Sequence, residues 1–84
     1  MTEAPEVKPH DEIRIGIRRA VVCQVYGPGR VEVVYLDDRD RAINENAVWR
    51  SNRWEFELFG PCGGYADGNS RLSAFVAQLR RPRA

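Results

Sequence analysis

The stretch best equipped for chemistry is GPCGGYADGNSRL, residues 60–72, with four glycines, Cys62, and Ser70-Arg71 at the head of a helix-like run. Glycine-rich backbone can ring an anion with N–H groups, and the first amides of a helix lack intrahelical partners. An anion site here would be built from Gly63, Gly64, Ser70 and Arg71. The spacing matches neither a G-x-x-x-x-G-K-[ST] loop nor a G-x-G-x-x-G turn after a strand, and Asp67 would repel a phosphate. The simpler expectation is a connection from the last strand to the helix, with Asp67-Gly68 as a turn. Cys62 would need a base to act as a nucleophile. The sole histidine, His10, lies in a segment expected to be a tail, so no catalytic residue is assigned. Two cysteines and one histidine without close spacing make no zinc set, and no metal or cofactor is expected.

Other candidates read as structure first. Asp37, Asp38 and Asp40, interleaved with Arg39 and Arg41, suit a solvated hairpin tip and lack the spacing of a calcium loop. Cys23 reads as a small strand hydrophobe. Glu45 falls on an apolar face near Gln24. A carboxylate there calls for an arginine partner such as Arg71, a bulge that turns it outward, or a place at the edge of the core; such misfits also mark functional positions.

The net charge of +1 hides an asymmetry. Residues 1–12 carry four carboxylates against Lys8, net −3, and the remainder carries twelve arginines against eight carboxylates, net +4. Carboxylates are interleaved with the arginines, so no basic stripe emerges. Arg14, Arg18, Arg19, Arg30, Arg50, Arg53, Arg80, Arg81 and Arg83 are the candidates for nucleic-acid contact, and a near-neutral chain predicts weak phosphate affinity. No apolar run reaches transmembrane length, and MTEAPEVKPHDE lacks the basic start and apolar stretch of a signal peptide. The expected setting is cytoplasmic, with free thiols and no membrane partner.

The elements that would position these residues can be read from period and turns. Residues 1–12 read as an N-terminal tail, 13–81 as one small β-rich domain, and 82–84 as a C-terminal tail. Ile13, Ile15 and Ile17 alternate with polar residues; AVVCQVY (20–26), VEVVYL (31–36), AINENAVW (42–49) and WEFEL (54–58) are further strands. The turns GPGR, DDRDR and RSNR are short, which predicts a four- to five-stranded antiparallel meander. Pairing Tyr26 with Val31, Leu36 with Ala42, and Trp49 with Trp54 puts Val22, Tyr26, Val31, Val33, Tyr35, Ile43, Ala47, Trp49, Trp54, Phe56 and Leu58 on one face. Three separately placed turns agree, and a one-residue slip would invert each strand. Leu72, Phe75, Val76 and Leu79 form one stripe of a C-terminal helix over 70–81, capped by Asn69 or Ser70 and ended by Pro82.

The opposite face mixes Val21, Cys23, Val25, Val34, Leu36 and Val48 with Glu32, Asn44, Asn46, Glu55 and Glu57. An apolar patch of that size does not stay exposed. The strand at Ile13–Ile17 crossing part of it to close a barrel is one account, and a self-association face is another; the two are not exclusive, and the chain is expected to be a homo-oligomer, most simply a two-fold dimer.

RRAVVCQVYGPGR followed by VEVVYLDDRDRAINENAVW resembles the strand–turn–strand centre of small SH3-like barrels of the Tudor and KOW type, over residues 15–58. The resemblance implies an SH3-like barrel or half-barrel. A Tudor-like module would place Tyr26, Tyr35, Trp49 and Trp54 around a methylated cation, whereas the register above puts them in the core. SH3-like barrels also bind nucleic acid. Some are enzymes with a site shared between subunits, such as type II dihydrofolate reductases; their V-Q-I-Y stretch is absent here, and CQVY (23–26) is not its equivalent. The C-terminal part is similar to short bacterial proteins carried on mobile gene cassettes, which implies no function. The expectation is a mainly β protein with one C-terminal helix, acting as a non-catalytic interaction module on itself or another protein, with nucleic acid as the alternative and an interfacial enzyme or small-ligand site third.

Overall fold

In the computed structural model, which describes residues 3–57 and 63–81, the chain forms β1 (Glu12–Ile15), β2 (Arg18–Gly27), β3 (Arg30–Leu36), β4 (Ala42–Arg50), β5 (Arg53–Phe56), β6 (Gly64–Tyr65), a 3₁₀ turn (Ser70–Leu72) and α1 (Ser73–Arg80). Two of the three inferred registers hold. Leu36 faces Ala42 and Val31 faces Ala47 across β3 and β4. Trp49 faces Trp54 and Ala47 faces Phe56 across β4 and β5. Ser51 and Asn52 both take positive φ, 57° and 62°, as the two central residues of a type I′ hairpin require.

The β2–β3 ladder departs from expectation. Val22 faces Val33 and Val25 faces Val31, and the register slips between Val22 and Gln24 and again between Val25 and Gly27. Each slip leaves one extra residue on β2, first Cys23 and then Tyr26. A bulge of this kind flips the parity of the residues beyond it. Tyr26, expected in the core, is 52% exposed instead.

Closure comes from β1. It pairs antiparallel with β2 around Gly16, and its last residue, Ile15, pairs in parallel with Trp54 of β5. With β3 on β4, the five strands form a closed barrel, mixed in direction and consistent with an SH3-like barrel; β6 adds to the first half of β4. The consecutive pairs are antiparallel as expected, and the β1–β5 seam makes the sheet mixed.

Inside the barrel lie Ile13, Ile15, Ala20, Val22, Val31, Val33, Ala47 and Trp54, with Val7, Tyr35, Trp49 and Phe56 against them. A second core lies outside the wall, where Leu72, Val76 and Leu79 cover Val21, Cys23, Val34 and Ala42, with Leu36 and Phe75 at its margin. The apolar half of the mixed face around Val21, Cys23 and Val34 is thus covered by the chain's own helix and not by β1. Val21, Val34 and Leu72 are fully buried there, each contributing about 1.5–3 kcal/mol. The expected self-association face is corrected accordingly: Val21, Cys23 and Val34 are buried under the helix and closed to a partner, whereas Leu36 and Val48 are half-buried and Val25 is exposed. Asn69 caps the helical segment, accepting from the Arg71 amide at 3.0 Å.

Residues 3–11 also depart from the expected tail. The His10 amide donates to Val22 O and the Val22 amide to Asp11 O, both at 2.8 Å. The His10 ring stacks on Phe75 at 4.5 Å and its Nδ1 lies 2.9 Å from Gln78 Oε1. Val7 packs on the barrel core. The N-terminal segment is therefore a strap over the barrel. The expected positions of Leu58, Cys62 and Arg83 lie outside the described residues.

Candidate functional site

At one end of the barrel the β2–β3 hairpin tip, Gly27–Arg30, rises beside the end of β4. Gly29 has φ +74°, and a Cβ there would stand 3.3 Å from the Cβ atoms of both Ala4 and Trp49. Only a glycine lets the turn form while strap and tryptophan close on it from two sides. The Trp49 amide donates to Gly29 O at 2.9 Å, which fixes the tip against β4. The Trp49 ring meets Trp54 edge-on, with centroids 5.4 Å apart.

Around this tip the strap leaves two openings. An open groove of about 870 Å³ is lined by Glu3, Ala4, Pro28, Arg30, Val48, Trp49, Arg50 and Glu57. A second opening of about 330 Å³ lies between Ala4–Val7 and the barrel residues Val25, Gly27, Pro28 and Gly29. The indole Nε1 of Trp49 is buried without an acceptor, a costly state for a donor. Arg30 pairs with Glu57 at 2.8 Å and Arg50 with Glu55 at 3.1 Å, and both guanidinium groups stay more than half exposed. The end is thus an apolar and aromatic floor between two exposed cations. It gathers Val25 and Val48, the two members of the mixed face that the helix leaves uncovered.

The expected anion cradle does not assemble. Arg71 forks onto Glu32 with two bonds of 2.9 Å. Glu32 is the one buried charged residue among the described residues, and the guanidinium holds its carboxyl below the usual carboxylate range. Ser70 is not the cap. Gly64 belongs to β6. Gly63 packs against the Glu45 carboxyl, which a Cβ there would strike. Asp67 accepts from the Ala42 amide at 2.9 Å and pairs with Arg80; those donors hold it down at about 2. It clasps the start of β4 to the end of α1.

Glu45 finds neither Gln24 nor Arg71. It faces Val33, its Oε2 is buried without a donor, and burial pushes its carboxyl up. The aromatic candidates form two packed pairs, Trp49 with Trp54 and Tyr35 with Phe56 at 4.8 Å. Neither pair leaves a gap for a cation, and Arg18 covers the Tyr35 ring at 5.5 Å. With Tyr26 displaced by the bulges, no cage forms. At the β3–β4 turn Asp37 accepts from the Arg39 and Arg41 amides at 2.9 Å each, which holds its carboxyl low and makes it a turn residue.

Six of the arginines expected to face nucleic acid are engaged with carboxylates: Arg18, Arg19, Arg30, Arg50, Arg53 and Arg80. Burial, with Glu32 nearby, pushes the Cys23 thiol up to about 12, which silences it as a nucleophile.

Comparison with protein-family models, with curated proteins and with solved structures finds no match to this chain. The site therefore stands on geometry alone. Sequence reading missed the strap, and its one signal was Val7, an apolar residue isolated among charges and prolines.

Proposed function

We propose that this protein is a small non-catalytic interaction module that docks an extended segment of a protein partner in the groove at its hairpin tip. The observation that carries this reading is the open groove floored by Trp49 and Val48 between Arg30 and Arg50. Aromatic residues and arginine dominate the energetics of protein interfaces, and apolar surface left uncovered at one end of a domain marks a contact site. The resemblance of residues 15–58 to SH3-like barrels agrees with a binding role. Catalysis has less support: the Cys23 thiol is held protonated, and the His10 ring is bonded to Gln78 on the helix side. Nucleic-acid binding has less support because carboxylates are interleaved with the arginines along the chain and no basic stripe forms.

Peptides selected from a random display library on the immobilised protein test the reading. Binders should lose about tenfold or more in affinity on Arg50→Glu and on Val48→Lys, and stay unaffected by the remote Arg14→Glu. Binders indifferent to both groove variants would overturn it. So would a single-stranded oligonucleotide that binds with steep salt dependence where no peptide does.

A further inference from the structure

The N-terminal strap tells what the groove accepts. Residues 3–7, Glu-Ala-Pro-Glu-Val, pass the hairpin tip without regular secondary structure. Among the described residues no hydrogen bond or ion pair involves them. The strap is secured beyond Val7, where the Lys8 amide donates to Asp11 Oδ2 and the His10 amide to β2. Within residues 3–7 the hold is apolar: Ala4 against Gly29 and Val7 against the barrel core. The openings of about 870 and 330 Å³ beside the strap show an incomplete fit. Glu3 lines the same groove as Arg30 and Arg50, whose guanidinium groups stay more than half exposed beside their partners Glu57 and Glu55, and residues 1–12 are net −3 against a remainder that is net +4.

We infer that the groove is built for an extended, acidic, proline-containing protein segment, and that the strap is its resident, displaceable occupant. This rests on the docking reading above and adds the ligand class and a competitor. A partner segment keeps the small residue against Gly29 and the acidic flank toward Arg50, and fills the space that the strap leaves open. Tethering gives the strap an effective concentration on the order of millimolar. A partner therefore binds the intact chain with an affinity reduced by the fraction of grooves already occupied. The strap's weak hold keeps that fraction adjustable.

The test uses the full chain, isotope-labelled, with a synthetic EAPEVKP peptide as probe and the Trp49 indole N–H resonance as readout. Two variants release the strap: Val7→Ser removes its apolar anchor, and Ala4→Glu drives a longer side chain against Gly29. The thermal melt of each shows whether the barrel persists, and two independent variants keep the test open if one fails to fold. The expected result is weak binding to the wild type, binding at least tenfold tighter to the released variants, and loss of binding for the charge-reversed KAPKVKP. Equal affinity for the wild type and both variants would overturn the strap's role. If library-selected peptides still bound the groove in that case, the docking reading would survive. If nothing bound there, both would fall. A doubled solution mass of the wild type, lost on Ala4→Glu, would overturn a separate partner in favour of strap exchange between two copies.

Discussion

Two glutamates, thirteen positions apart, have opposite fates. Glu32 is buried with Arg71 forked onto it, and its folded-state pKa is lowered. Its contribution is present above the unfolded carboxylate pKa and is lost as pH falls through the folded value. Arg71→Ala should lower the denaturation midpoint near pH 7, by less than for a fully enclosed pair because the arginine is half exposed. That loss should shrink in denaturant melts run below pH 4. Among the described residues Glu45 Oε2 has no donor, and its pKa is raised by burial. Burial penalises its charged form, so stability is lost as pH rises through the folded value. Glu45→Gln should therefore stabilise the protein at pH 7–8 by roughly 0.5–1 kcal/mol and gain nothing at pH 3; a melt series across that range checks both. Cys23 gives a third expectation. With its thiol pushed up to about 12 and buried, alkylation mapped by mass spectrometry should reach it only after denaturation. Labelling of Cys23 in the folded state would contradict its placement under the helix. The misfit of Glu45 was legible in the sequence, because an acid stood at a position whose parity pointed inward. The lack of a donor to its Oε2 was not, because which arginine reaches which carboxylate depends on the path of a distant loop and helix.

The turns decided which elements were legible. Ser51-Asn52 and the Asp37–Asp40 tip carry residues that fix a hairpin, so spacing alone yields the β3–β4–β5 pairings. VVCQVY contains nothing that announces a bulge, because any residue can be the extra one. Spacing alone therefore sets β2 two residues out of register beside Tyr35 and places Tyr26 in the core. The helix stripe was legible from its period, but not its destination, since a mixed face beneath a helix and one beneath a second copy have the same composition. The covering helix makes a clear prediction. Leu72→Ala should cost about 2–5 kcal/mol, measurable by urea melts, because Leu72 is fully buried and binds the 3₁₀ turn to β2 and β3. Val34→Glu should prevent folding, since it would bury a charge without a partner beneath α1. A well-folded Val34→Glu monomer would mean that the helix does not sit there.

At the scale of the whole molecule, the barrel closes through one parallel pair, Ile15 with Trp54, and is buttressed by a helix on one side and a strap across one end. The helix is bound by a packed second core and by ion pairs such as Asp67 with Arg80. The strap is held by apolar contact alone through residues 3–7. Hydrogen exchange should reflect this asymmetry, with the β2–β3–β4 amides most protected and residues 3–7 least. Function is assigned to the loosely held end, where Trp49 lines the open groove beside the strap. The most direct test is a chemical-shift map of the labelled protein with a library-selected peptide bound. The account predicts that the perturbed amides gather at residues 25–30 and 48–50, together with the Trp49 indole N–H. Perturbations centred on α1, or on the β1–β2 tip around Ile17, with this end silent, would contradict it.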